Sequence, residues 1–180
     1  ENPDVFFQVL DRREATKWDV CIRSTLPQYV FSNAVKLMEE PLCLAFHKDS
    51  WLSNMEKIKL SDIRNEKFVM LRSGGSIRTI SDAIFEKEGI IPDIAFECDA
   101  VHVLRRMVQE GLGITIWPRY SWRDHLRSET DFANVCYRPI DNNEFKRSLY
   151  LILQKDLKMT EELEKFCKYT EKYFNSIKEE

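Results

Sequence analysis

Phe68-Val69-Met70-Leu71-Arg72-Ser73-Gly74-Gly75-Ser76-Ile77-Arg78-Thr79-Ile80 is the stretch that decides the fold. Phe68 to Leu71 are continuously apolar, which suits a strand covered on both faces. Ser73-Gly74-Gly75-Ser76 then breaks the extended pattern. Ile77, Ile80 and Ile84 share one face of a helix that Ser76 can cap and Gly89 can end. The unit recurs. Ile94–Cys98 reads as a strand, Asp99 as a cap, and Val101, Leu104 and Val108 as a helical stripe stopped at Gly111. Ile114–Trp117 is the next strand, and Pro118 suits the first turn of a helix through Trp122 and His125. Further strands are expected at Val5–Leu10, Asp19–Ile22, Leu42–Phe46 and Leu149–Leu153. The last helix starts at a Thr160 cap, has Glu161 and Glu162 in its first turn, and carries Leu163, Phe166, Cys167, Thr170, Tyr173, Phe174 and Ile177 at helical spacing. Strand–helix alternation makes the class α/β.

Composition narrows the function. In 180 residues, 43% hydrophobic and 32% charged side chains give an ordinary globular balance with enough apolar material for a core. A net charge of −3 argues against this segment being a nucleic-acid surface by itself. Arg105-Arg106 and Arg119, Arg123 and Arg127 are dispersed among acids and read as solvated faces. No apolar run approaches a membrane span. The opening Glu1-Asn2-Pro3-Asp4 has neither a basic nor an apolar region, so no export signal is expected. Cys21, Cys43, Cys98, Cys136 and Cys167 are odd in number and scattered, without a metal-ligand spacing. They read as reduced, buried thiols of a cytoplasmic protein, with no metal site or cofactor expected. His47, His102 and His125 lie in different elements, and no nucleophile elbow or His-Glu-x-x-His occurs, so catalysis is not expected.

Binding chemistry concentrates at two turns. In Ser73-Gly74-Gly75-Ser76 the glycines let a ligand approach the backbone, and the following helix presents unpaired N–H groups and a partial positive charge. Ser73 and Ser76 add hydroxyls and Arg78 a formal charge, a set suited to a carboxylate. The same residues also read as a plain turn with a cap. Asp99 and Val101 follow the carboxyl end of a strand, where ligands bind in open α/β sheets, and Asp99 serves equally as a cap. Trp117 is either pocket wall or core. Gly111-Leu112-Gly113 is a helix stop and tight turn, not a phosphate loop.

Three stretches together resemble one family. Glu40-Pro41-Leu42-Cys43-Leu44-Ala45-Phe46-His47-Lys48-Asp49, with Trp51-Leu52, is similar to its strand and following turn. Leu71 to Thr79, running on to Phe85 and Gly89, resembles its glycine/serine turn and helix. Val108-Gln109-Glu110-Gly111-Leu112-Gly113-Ile114-Thr115-Ile116-Trp117-Pro118 resembles its Val-x-x-Gly-Leu-Gly-Ile-x-x-x-Pro signature. The family is the effector-binding domain of LysR-type transcriptional regulators. The resemblance implies a two-lobed, type II periplasmic-binding-protein-like fold with two crossover strands, expected near Phe68–Arg72 and Phe145–Leu149. Residues 1–71 and 146–180 would form lobe I and 72–145 lobe II. A small effector, expected to be anionic, would lie between the lobes, met from lobe II by the turn at Ser73–Ser76 and from lobe I by Arg23, Ser24 and Thr25. It also implies a homodimer or homotetramer, and DNA contact through a winged helix-turn-helix upstream. Against the family pattern, the first strand is missing and Asp11–Trp18 is short for a connecting helix. A transporter's solute-binding protein and an enzyme on the same fold are the alternative readings.

Overall fold

The computed structural model describes residues 19–28, 34–120, 134–141, 145–154 and 157–177, and the backbone of 7–8. The strands are β1 (Phe7–Gln8), β2 (Val20–Thr25), β3 (Ala34–His47), β4 (Lys67–Leu71), β5 (Asp93–Cys98), β6 (Thr115–Pro118), β7 (Val135–Pro139) and β8 (Lys146–Leu153). The helices are α1 (Ser76–Lys87), α2 (Val101–Gln109) and α3 (Glu161–Ile177). The expected strands are found, with β3 and β8 longer than their apolar cores. Of Val5–Leu10, only Phe7–Gln8 is described. β7 was not expected: its apolar run, Val135-Cys136-Tyr137, is only three residues long before Arg138-Pro139. The helix expected from Pro118 to His125 runs onto residues outside those described, and Pro118 itself closes β6, paired with Leu42. The short connection at Asp11–Trp18 also lies outside the described residues.

The chain forms two compact units, Glu1–Glu40 with Arg147–Glu180, and Pro41–Lys146. β3 and β8 each begin in one unit and end in the other. The first boundary expected, near residue 71, therefore differs from the one observed. Leu42 to Ala45 pair with β6 from Pro118 back to Thr115, and Cys43 to His47 pair with β7, so this stretch is bonded into the second unit. Phe68–Arg72, expected as a crossover, lies wholly within the second unit, and β3 and β8 are the strands that run through both.

In the first unit β2 runs antiparallel to β8, from Val20↔Leu153 to Thr25↔Ser148, and parallel to β1. Val20, Leu37, Met38 and Leu151 are almost fully buried. Glu40 is 0% exposed and accepts a 2.6 Å hydrogen bond from Arg147 Nε, an ion pair between β3 and β8. Burial pushes the Arg147 guanidinium below its ordinary value, and the Glu40 carboxylate opposes that. The Thr160 hydroxyl accepts from the Leu163 N–H at 3.3 Å, the cap the sequence predicts for α3. Leu163, Thr170 and Ile177 form its buried stripe, whereas Tyr173 is exposed and stacks on Tyr169.

In the second unit β4 and β5 are parallel, and β4 joins β6 through the Phe68↔Ile114 bridge. β3 lies antiparallel to both β6 and β7. The close approach of β4 and β6 needs glycine, since a Cβ on Gly113 would stand 2.7 Å from the Lys67 carbonyl oxygen. Phe85 of α1 meets Phe68 edge-on at 5.1 Å. With Ile80 and Ile84 it buries the apolar face of α1, about 1.5–3 kcal/mol per side chain. Cys43, Val69, Cys98, Leu104, Val108 and Trp117 close the core on the α2 side.

Candidate functional site

The second unit gathers the carboxyl ends of β4, β5 and β6 at one edge, because all three strands run parallel. At that edge β4 and β5 give way to the turns that lead into α1 and α2. β4 ends at Leu71, paired with Cys98, and the Arg72 N–H donates to the Cys98 carbonyl at 2.8 Å. The chain then turns through Gly74 at φ 98°, a left-handed conformation that glycine adopts without strain. The space around it is open, since a Cβ added there would meet nothing within 4 Å. Gly75, not Ser76, is the N-cap of α1, and no side chain caps the helix there. Ser76 is its first residue. Ser73 and Gly74 are exposed, Ser76 half-buried. The N-terminus of α1 thus opens beside two small residues at the end of β4.

Arg78 is placed differently from its expected role. Its side chain is only 11% exposed. Nε donates to Asp82 at 2.8 Å, and Nη1 donates to the Leu71 carbonyl at 3.0 Å and to Glu97. Burial lowers its pKa, and the bonds to Glu97 and Asp82 outweigh this, so the net shift is upward. Arg78 braces α1 against the ends of β4 and β5. Arg72, directly after β4, is an exposed cation here, 57% exposed, with its Nη2 3.2 Å from Asp99 Oδ2. Sequence reasoning passed over Arg72, although its position directly after an apolar strand was a usable signal. Asp99 is not a cap either. Ala100 is the N-cap of α2, and Asp99 serves as the partner of Arg72. Val101 opens α2, half-buried.

Trp117 packs in the core, 3% exposed, with the Arg105 guanidinium 5.0 Å above its ring and the Cys43 thiol donating to its carbonyl at 3.1 Å. Arg105, expected on a solvated face, is therefore buried; the indole face offers its cation a partner that a helical-wheel reading does not show. In the first unit Arg23, Ser24 and Thr25 are the last residues of β2 rather than a loop after it. Arg23 and Thr25 share a face with Tyr150 and Ser148, and Ser24 accepts from Arg147 Nη1 at 3.4 Å.

Among the described residues no group of His, Cys, Asp and Glu is arranged to hold a metal ion, and no helix is long and apolar enough to cross a membrane. Cys21, Cys43 and Cys98 are buried as expected, while Cys136 and Cys167 are only half-buried. Burial raises the Cys21, Cys98 and Cys167 thiols above their ordinary values.

Comparison with known proteins accounts for this architecture. Residues 4–175 match the family described as the LysR substrate binding domain. A hydrogen peroxide-inducible genes activator of Pectobacterium carotovorum subsp. carotovorum is 30% identical over 145 residues, covering 81% of this chain and 47% of that protein. An uncharacterized HTH-type transcriptional regulator of Bacillus subtilis (strain 168), YybE, is 31% identical over 126 residues, covering 66% of this chain and 43% of that protein. The chain spans just under half the length of these curated relatives. Among solved structures, the regulatory domain of CcmR from Synechocystis PCC6803, in complex with 2-PG, superposes with a TM-score of 0.74 at 17% identity, covering 88% of this chain and 74% of that one. The effector binding domain of QuiR in complex with shikimate gives 0.70 at 19% identity, covering 88% and 73%. These likenesses establish the fold as the periplasmic-binding-protein-like one of LysR effector domains. By the match of the family across nearly all its residues, the chain belongs to the LysR substrate binding domain family.

Proposed function

We propose that this chain is the effector-sensing part of a longer LysR-type transcriptional regulator. It binds a small anion, a carboxylate or phosphate, at the carboxyl edge of β4 and β5. The observation that carries this reading is the exposed Arg72 beside Ser73, Gly74 and the uncapped start of α1. An exposed ion pair is worth little, so an incoming anion can take the place of Asp99 on Arg72 at small cost while gaining backbone donors. Ser76 and Val101, at the starts of α1 and α2, line the approach. Ligand affinity that differs between two arrangements of the regulator makes the switch. DNA is contacted by a winged helix-turn-helix segment elsewhere in the longer protein, which acts as a homodimer or homotetramer in the cytoplasm and needs no cofactor.

The peroxide-inducible relatives raise the question of thiol sensing. A thiolate, not a thiol, reacts with oxidants, and burial holds Cys21, Cys98 and Cys167 protonated. Cys43 is buried and bonded to the Trp117 carbonyl. These four thiols are poorly placed for oxidation, and ligand binding is the proposed input. Calorimetric titration with small hydroxy acids and phosphate esters, shikimate and 2-PG among them, tests the reading. A ligand should bind the chain and weaken on Arg72→Gln. Binding unaffected by that change removes this edge from the site.

A further inference from the structure

We propose a second small-molecule site in the Pro41–Lys146 unit, apart from the turn at Ser73–Ser76 and independent of it, that takes a short-chain amphipathic carboxylate. A pocket of about 120 Å³ opens where β6 and β7 end, β3 enters and β8 leaves. Its inner wall is apolar. Leu42, Cys43, Ile140 and Phe145 all line it, and each is a buried core residue. Pro41, Pro139 and two cationic side chains, Arg119 and Lys146, complete the lining. The wall is held by backbone bonds, Leu42 N–H to the Phe145 carbonyl at 2.8 Å and Arg119 N–H to the Pro41 carbonyl at 3.1 Å, so the concavity is built into the strand ends. The Arg119 guanidinium rests 5.7 Å over the Tyr120 ring, which orders the cation. The neighbouring acid, Asp141, pairs with Lys57 at 3.7 Å, so its charge is met outside the pocket.

Size and chemistry together fix the ligand class. An apolar cavity of about 150 Å³ admits a benzene ring. This smaller pocket therefore suits a chain of about three to five carbons, with its carboxylate on Arg119 and its alkyl end on Phe145 and Ile140. A phosphate alone would leave the apolar wall unfilled, and an alcohol would bring Arg119 no charge.

The test is titration of the isotope-labelled full chain with sodium butyrate, followed by backbone amide shifts, with n-butanol and sodium chloride as references. Butyrate should produce saturable shifts at Leu42, Cys43, Arg119 and Ile140 with a dissociation constant in the millimolar range, about that of a ligand with few atoms. Butanol should bind about tenfold or more weakly, and Arg119→Gln, a change at an exposed side chain, should bring butyrate down to the butanol level. Shifts that do not saturate, that chloride or butanol reproduces equally, or that persist in Arg119→Gln overturn the site. Shifts centred on Ser73–Ser76 also overturn it, while locating butyrate at the turn after β4.

Discussion

Arg72 and Arg78 lie six residues apart on either side of the glycine turn, one exposed and the other nearly buried. Arg78→Gln removes a nearly buried guanidinium that bonds the Leu71 carbonyl, Asp82 and Glu97. Asp82 and Glu97 are each nearly half exposed, so water recovers part of what they lose. The cost is then below that of a fully buried pair, about 2–3 kcal/mol. At about 2–4 °C per kcal/mol for a chain of this size, the melting temperature should fall by about 4–12 °C. Arg72→Gln breaks only an exposed pair and should move stability by less than about 0.5 kcal/mol. Its effect belongs in ligand affinity, a loss of about tenfold or more for an anion that contacts the guanidinium. Differential scanning calorimetry of both variants, followed by titration of each below its transition, separates the two tasks. If Arg78→Gln melted with the parent while Arg72→Gln melted early, the brace would be wrongly placed. If Arg78→Gln stayed folded and stable but lost affinity, Arg78 would be a ligand contact after all.

Three other expectations rest on the packing. Glu40→Leu or Arg147→Met alone should each cost about 3–5 kcal/mol by stranding a buried charge, whereas the double variant should recover most of the loss; urea unfolding of the three proteins checks this, and additive losses would contradict it. Gly113→Ala should cost about 1–3 kcal/mol in the same assay, because its Cβ meets the Lys67 carbonyl at 2.7 Å, and a neutral result would mean that β4 and β6 can part freely. Cys21 and Cys98 have folded values raised above the ordinary value of 9.0, so their neutral forms stabilise the fold fully below that pH, and the contribution is lost as pH rises through the folded values. A Cys21→Ala/Cys98→Ala variant should therefore gain on the parent in urea midpoint above about pH 9, and a gap independent of pH would refute the shift.

The sequence carried the second unit well and the first poorly, for a physical reason. β4, β5 and β6 are short runs bounded by glycine turns or caps, and burial on two faces erases polar alternation, so Phe68–Leu71 and Ile114–Trp117 stand out. The opening half of β3, Ala34-Val35-Lys36-Leu37-Met38-Glu39-Glu40, mixes polar and apolar residues without a clean period of two. Its Glu40 is buried only because Arg147, over a hundred residues away in sequence, meets it. No local pattern reports that pairing, and the boundary between the units was displaced toward residue 71 as a result.

The candidate site divides along the same line. Its backbone part was legible, since Ser73-Gly74-Gly75-Ser76 announces a turn into a helix wherever it occurs. Its charges were not. Sequence singled out Arg78, passed over Arg72 and set Arg105 and Arg119 on solvated faces, and the fold sorts them by the group opposite each. Glu97 and Asp82 occupy Arg78, the Trp117 face occupies Arg105, and Asp99 pairs with Arg72 in an exposed, exchangeable way. Arg119 follows β6 as Arg72 follows β4, so both exposed guanidiniums project from carboxyl ends of neighbouring parallel strands. On the proposed reading, an arginine one residue beyond such a strand, with no acid three or four residues further along to hold it, is the one to test for anion binding, ahead of one inside the helix that comes next.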